Sequence, residues 1–339
     1  MQEAQPPTPA AERLHIERLI GSHEVDTLAT DVRRGLACEP KWLASKHLYA
    51  EGGGELFEQI CLLPEYYPTR TERVLLERHA ADIVALAGAR CLVELGSGSS
   101  RKTRLLLDAL GRRAGSALYV PVDLDEATLR GSAGELLEAY PWLRVHGLVA
   151  DLERPLERLP KGRQVLVAFL GGTIGNFGPE DAARLLGGLA SATGAGATLL
   201  LGTDMDKDPG RLAAAYDDSR GVTARFNLNV LRVINCRLGG TFNLARFEHL
   251  AFYDRVAKQI EMHLRSRVAQ TVRIERLGME VSFRAGETVR TEISRKFTPE
   301  SARAMLEGAG FEPLERFAPS SGDFYLWLAR AHGARGAAD

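Results

Sequence analysis

Cys91-Leu92-Val93-Glu94-Leu95-Gly96-Ser97-Gly98-Ser99-Ser100 reads as a short apolar strand that ends in a glycine-rich turn and leads into a helical pattern over 102–110. Five such residues bounded by glycine are too few for a helix and suit a strand covered on both faces. Four runs of the same kind follow: ALYVPVDL (117–124), RVHGLVA (144–150), QVLVAFL (164–170) and ATLLLGTDM (197–205). Helical patterns separate them over 126–140 and 180–191, the latter opening with Gly178-Pro179. Strands alternating with helices predict βαβ units and a parallel sheet, so the fold class is α/β, a Rossmann-like sheet. The rhythm breaks after Asp204 and resumes near Phe297, where Thr298-Pro299-Glu300 starts a helix over 301–308 and a last strand lies near 324–329. Between them stand helical patterns over 210–217 and 222–238. FEHLAFYD (247–254) comes next, and RVAKQIEMHLRS (255–266) and TVRIERLGMEVSF (271–283) then alternate as antiparallel strands do. A second, α+β unit is therefore expected to interrupt the sheet domain.

Upstream of the glycine-rich turn, residues 1–10 carry Pro6, Pro7 and Pro9 and read as a tail. A helix is predicted over 12–36, ending before Cys38-Glu39-Pro40. Residues 49–68 join a glycine-rich turn to a short amphipathic helix and an aromatic, proline-ended loop. The whole chain has 339 residues, 45% apolar and 26% charged, enough for a sizeable core. Its net charge of −1 offers no field for nucleic acid or anionic lipid, so a small-molecule partner is expected. Cys38, Cys61, Cys91 and Cys236 lie far apart without metal-ligand spacing, and no metal is expected. The apolar runs are too short to span a bilayer and the first residues lack a signal-peptide layout, which points to the cytoplasm. Glycine stands at 34 positions, about one in ten against a usual ~7%.

The turn at 96–100 lets backbone N–H groups approach a ligand ahead of a helix. A dinucleotide fingerprint would place a third glycine at 101, where Arg101 stands. The second run ends in Asp123, suited to both hydroxyls of a ribose, and the third in Asp151, suited to an adenine amino group. Glu94 on the first strand, Gly-x-Gly, and acids closing strands two and three make the layout of S-adenosylmethionine (SAM) methyltransferases. The fourth run continues into Leu170-Gly171-Gly172-Thr173-Ile174-Gly175-Asn176-Phe177, a tight loop at the strand's carboxyl end that presents Asn176 to a polar substrate.

GELFEQICLLPEYYPTRTE (54–72), ELGSGSSRKTR (94–104), FLGGTIGNF (169–177), GVTARFNLNVL (221–231), IEMHL (260–264) and VRTEISRKF (289–297) resemble the L-histidine Nα-methyltransferase family. That family makes hercynine, the histidine betaine on the route to ergothioneine. The resemblance implies a SAM-dependent methyltransferase domain over 71–206 plus 297–331. It implies a substrate-binding domain over 11–70 plus 207–296, with flexible tails at 1–10 and 332–339. It places SAM at Gly96, Lys102, Asp123, Asp151 and Leu152, and the amino acid's carboxylate and amine near Gly171, Asn176, Tyr216 and Tyr66. Glu292 and Ser294 would hold the imidazole, Met262 would line the ring, and Tyr49 and Phe57 would form an aromatic wall near the amine.

The chemistry agrees in kind. Glu292 accepts from one ring N–H and Ser294 serves the other nitrogen. Two apart on a strand, they share a face. Aromatic faces attract a quaternary ammonium without hydrogen bonds. No residue stands out as a general base, and His249 and His263 read as structural. The turn Gly52-Gly53-Gly54 and Ala50 depart from the family's usual Tyr-Asp and Gly-Ser. The expected activity is trimethylation of L-histidine, through its mono- and dimethyl forms, by a monomer. The alternatives are tryptophan or another amino acid as substrate, or a non-catalytic sensor of SAM or an amino acid.

Overall fold

The computed structural model describes residues 10–19, 24–98, 100–156 and 158–332. In chain order the strands are β1 Leu14–Arg18, β2 Lys41–Trp42, β3 Cys91–Leu95, β4 Ala117–Asp123, β5 Leu143–Val149, β6 Val165–Phe169, β7 Thr198–Asp204, β8 Phe247–Asp254, β9 Gln259–Ser266, β10 Gln270–Ile274, β11 Met279–Phe283, β12 Thr288–Arg295, β13 Phe311–Phe317 and β14 Phe324–Ala331. The helices are α1 Glu24–Leu36, α2 Gly53–Cys61, α3 Tyr67–Ala87, α4 Thr103–Ala114, α5 Glu126–Ala139, α6 Pro179–Thr193, α7 Pro209–Ala214, α8 Val222–Leu238 and α9 Pro299–Gly308.

The large sheet runs β1-β5-β4-β3-β6-β7-β14-β13. Its first six strands are parallel, and β14 returns antiparallel to both β7 and β13. Every residue of β3, β6 and β7 is buried, as a parallel sheet covered on both faces requires. Successive residues serve opposite faces. Val93, Val120, Val167 and Leu201 pack with Leu186 of α6 and Leu306 of α9. Leu92, Tyr119, Leu166 and Leu200 pack with Leu76 of α3, Leu107 of α4 and Leu136 of α5. β4 lies on one side of β3 and β6 on the other, so strand order reverses between β3 and β6. A crevice opens there, beyond the strands' carboxyl ends. The turn after β3 and the loop after β6 flank it.

A smaller sheet runs β2-β12-β9-β8, and a separate hairpin pairs β10 with β11. Val230 and Ile234 of α8 pack with Ile260, Leu264 and Val289 of the smaller sheet and with Val32 and Leu36 of α1. Past Arg295 the chain crosses from β12 to the large sheet. Phe297 N donates to Asp204 O at 2.9 Å, and Asp206 N donates to Phe297 O at 2.8 Å. The end of β12 is thereby fixed beside the end of β7, next to the crevice.

Three stretches depart from expectation. The helix predicted over 12–36 exists only as α1. Leu14–Arg18 is instead the edge strand β1, paired in parallel with β5, so this part of the 11–70 segment joins the large sheet. Strand pairing overrides local propensity here: Arg13 anchors the entry by donating to the carbonyls of Leu137, Tyr140 and Leu143 at 2.8, 3.0 and 2.9 Å. The loop expected up to Pro68 stops at Tyr66. Tyr67 and Pro68 open the 21-residue α3, where proline's missing N–H costs nothing. The strand β13 was not foreseen, because Pro313 and the charged residues of FEPLERF mask the alternation. The tails assigned to 1–10 and 332–339 lie outside the described residues except for Ala10 and His332.

Candidate active site

Gly96 and Gly98 adopt φ of +65° and +46°, and open space lies where a Cβ would stand. Side chains there would be strained and would fill the cradle. Asp123 shapes it: Oδ2 accepts from Gly98 N at 2.9 Å and Oδ1 from Asp125 N at 3.1 Å. Burial pushes the Asp123 carboxyl up from its ordinary range. Behind the turn, buried Glu94 accepts from Thr103 Oγ1 and Tyr119 OH, both at 2.5 Å, which pins the start of α4 to β3 and β4. Burial pushes Glu94 to about 7. Among the described residues Ser97 Oγ is buried without a hydrogen-bond partner. An orphan hydroxyl beside an open glycine cradle fits a polar cofactor.

The other residues expected to bind cofactor surround this turn with partners of their own. Asp151, 4% exposed, pairs through Oδ2 with Lys46 Nζ at 3.0 Å. Lys46 also reaches Asp31 at 3.1 Å and Glu153 at 2.5 Å. Leu152 is half-buried against the core below. Lys102 Nζ pairs with Glu72 of α3. Lys46 was not singled out from sequence, because neither its burial nor its three carboxylates are close to it in the chain. The Lys46→Met variant, which strands the Asp151 carboxylate, should lose about 3 kcal/mol of stability. Denaturant melts without ligand check this, and an unchanged midpoint would mean the cluster is solvent-screened.

Across the crevice, Tyr49, Phe57, Tyr66, Gly171, Asn176, Tyr216, Met262, Glu292 and Ser294 line a single cavity. Rings form one wall: Tyr49 stands edge-on to Phe57 at 5.3 Å and to Phe226 at 5.2 Å, and Tyr66 edge-on to Phe57 and Tyr216, each at 6.1 Å. Phe226, on the buried face of α8, is a further wall residue, which the sequence offers only within GVTARFNLNVL and without a role of its own. Asn176 ends the 3-10 turn Thr173–Asn176. Gly175 lets that turn lie on β12, since a Cβ there would come within 2.8 Å of Arg295 O.

The opposite wall is β12, where Glu292 and Ser294 are both buried, with Met262 of β9 paired across from Glu292. Ser294 Oγ lies 2.7 Å from Tyr216 OH. Lys296, fully buried, donates to Ser294 Oγ at 2.8 Å and Tyr216 OH at 3.1 Å and pairs with Asp204 at 2.8 Å. All three of its N–H directions are thus used. Lys296 belongs to VRTEISRKF (289–297), but only the fold shows it turned beneath the cavity. Among the described residues the Glu292 carboxylate has no hydrogen-bond partner. Burial pushes it to about 7, against the pull of Lys296. The cavity is therefore lined by an acceptor without a protein partner beside a fixed hydroxyl, together with a group of aromatic rings. Burial lowers the His249 pKa, and its ring nitrogens meet Asn227 Nδ2 at 2.8 Å and Tyr216 O at 2.9 Å. His263 Nε2 meets Glu261 at 2.8 Å.

Residues 28–331 match a family described as histidine-specific, SAM-dependent methyltransferases. The histidine N-alpha-methyltransferase of Mycolicibacterium smegmatis is 46% identical over 311 residues, 92% of this chain and 97% of its own. That of Mycobacterium tuberculosis is 44% identical over 302 residues, covering 89% and 94% of the two chains. The L-tryptophan methyltransferase of Psilocybe serbica is 29% identical, covering 90% and 93%.

Proposed function

The chain belongs to the SAM-dependent histidine-specific methyltransferases, and from that premise we propose that it places three methyl groups in succession on the α-nitrogen of L-histidine, giving hercynine. The observation that carries the substrate assignment is the placement of Glu292 and Ser294 side by side in the lining of the cavity. An imidazole offers one N–H and one lone pair when neutral, which matches a carboxylate acceptor beside a hydroxyl. A buried acceptor left without a partner is costly, so ligands that cannot donate to Glu292 are penalised.

The α-amino and α-carboxylate groups then fall toward Asn176, Tyr66, Tyr216 and the Gly171 backbone. Burial raises the pKa of Tyr66 and Tyr216, so both are neutral phenols able to donate. SAM, when bound, supplies a methyl group already activated on a sulfonium. Gly96, Asp123, Asp151, Leu152 and Lys102 would hold it, which leaves alignment and exclusion of water as the protein's main contributions. Starting as an ammonium, the amine gives up one proton before each of the three transfers and so enters the third as a neutral tertiary amine. Tyr49, 38% exposed, marks the open edge by which those protons reach water. Tyr49, Phe57 and Phe226 receive the growing cationic ammonium on their faces.

Tryptophan is the second candidate, since a relative carries that activity in its name. Indole has one donor and no acceptor, so it satisfies Glu292 but not Ser294. Rates on histidine, its mono- and dimethyl forms and tryptophan separate the two. Histidine and its methylated forms should be turned over far faster, and equal rates on tryptophan would overturn the assignment. SAM binding without any methylated amino acid would favour a sensor.

A further inference from the structure

Glu72 lies in the second turn of α3 and is fully buried. Its two oxygens accept from Gly171 N at 2.7 and 2.9 Å, and one of them also accepts from Lys102 Nζ. These two donors belong to the segments that flank the crevice. Lys102 ends the glycine-rich turn on the cofactor side, and Gly171 begins the loop that carries Asn176 on the substrate side. α3 itself starts one residue after Tyr66 of the aromatic wall. Space for the carboxylate is provided by Gly202 on β7, where a Cβ would fall 2.4 Å from Glu72 Oε1. Such a buried charged pair is seldom the most stable filling of its volume, because an apolar pair avoids the desolvation cost. Its position between two binding loops gives it another use.

We propose that Glu72 is a positioning residue that couples the two halves of the active site, so that cofactor binding tightens the grip on the amino acid. The inference rests on the functional reading above for the identity of both ligands. Lys102 and Gly171 N share one carboxylate. When Lys102 also faces an anionic group of the cofactor, its draw on Glu72 weakens, and the Glu72 lone pairs turn more fully to Gly171 N. The loop 170–176 is then held in the geometry that presents Asn176. By linkage, the amino acid strengthens cofactor binding by the same factor.

The test is calorimetric titration of histidine into the full-length protein, with and without saturating S-adenosylhomocysteine. In the wild type the cofactor product should raise histidine affinity about tenfold, within the usual range for coupled sites. Glu72→Gln keeps an acceptor for Gly171 N and loses the charge, and its factor should fall to about 1. Loss of general stability would weaken binding but leave the ratio intact, so the ratio separates coupling from damage. If Glu72→Gln does not fold, Gly202→Ala, which displaces the carboxylate and retains every charge, must lower the factor. A wild type that couples while a folded Glu72→Gln or Gly202→Ala couples equally well overturns the role of Glu72, as does a wild type that binds both ligands without coupling. A wild type that binds S-adenosylhomocysteine but no histidine overturns the substrate assignment, and this inference with it.

Discussion

Glu292→Ala is expected to lower kcat/KM for histidine by about a hundredfold, the loss that follows from removing a charged hydrogen-bond partner worth roughly 1.5–3 kcal/mol. The carboxylate is buried, has no protein partner among the described residues and faces the cavity. Alanine there breaks no protein hydrogen bond among the described residues, so the loss reads on ligand binding. Alanine also removes the penalty against rings that leave Glu292 unpaired, so activity on phenylalanine, whose ring has no N–H to donate, should hold or rise while activity on histidine falls. Glu292→Gln keeps a carbonyl acceptor without the charge and should lie between. Steady-state kinetics on both amino acids with the three proteins measure this. Unchanged histidine selectivity in Glu292→Ala would remove Glu292 from ring recognition.

The unfolding free energy of the ligand-free protein is expected to fall as pH rises from 5 to 8. Burial pushes Glu94 and Glu292 to about 7, from 4.5 without that burial. Between those values the folded protein holds protons that the unfolded chain has lost, so raising the pH favours the unfolded chain. Each residue accounts for roughly 3 kcal/mol across the window, at 1.36 kcal/mol per unit. Asp204, held low by Lys296 and Lys207 despite its burial, has the opposite sign but acts below about pH 4. His249, which burial lowers, opposes the trend only below its ordinary value near 6.5. Denaturant melts at pH 5 and 8 should show the decline, and Glu94→Gln and Glu292→Gln should each flatten it. Glu292→Gln should then be more stable than wild type at pH 8 while less active, the cost of keeping an unpaired carboxylate for a ligand. An identical pH slope in both variants would contradict the assigned protonation.

The sheet was legible because each strand from 91 to 205 is a short apolar run between glycine or proline signals, and burial on both faces leaves that pattern intact. β1 was not, because LHIER is half-exposed at the sheet edge and becomes a strand only through pairing with β5. Glu292 and Ser294 were readable as one face of a strand, Gly96 and Gly98 as one turn, and Asp123 as the close of the second strand. The partners that set their chemistry were hidden for a different reason. Lys46 meets Asp151 across 105 residues, Glu72 meets Gly171 across 99, and Lys296 meets Tyr216 across 80. No local pattern marks a buried charge whose partner is so distant, and in sequence each resembles an ordinary surface residue.

The most direct measurement is mass spectrometry of the products formed when the protein is incubated with SAM and L-histidine, with fragmentation to locate the methyl groups. Nα,Nα,Nα-trimethylhistidine should accumulate by way of the mono- and dimethyl forms, with three equivalents of S-adenosylhomocysteine per molecule of final product. Histidine recovered unmodified, or methylated on the imidazole ring instead of the α-nitrogen, would contradict the placement of the ring against Glu292 and Ser294.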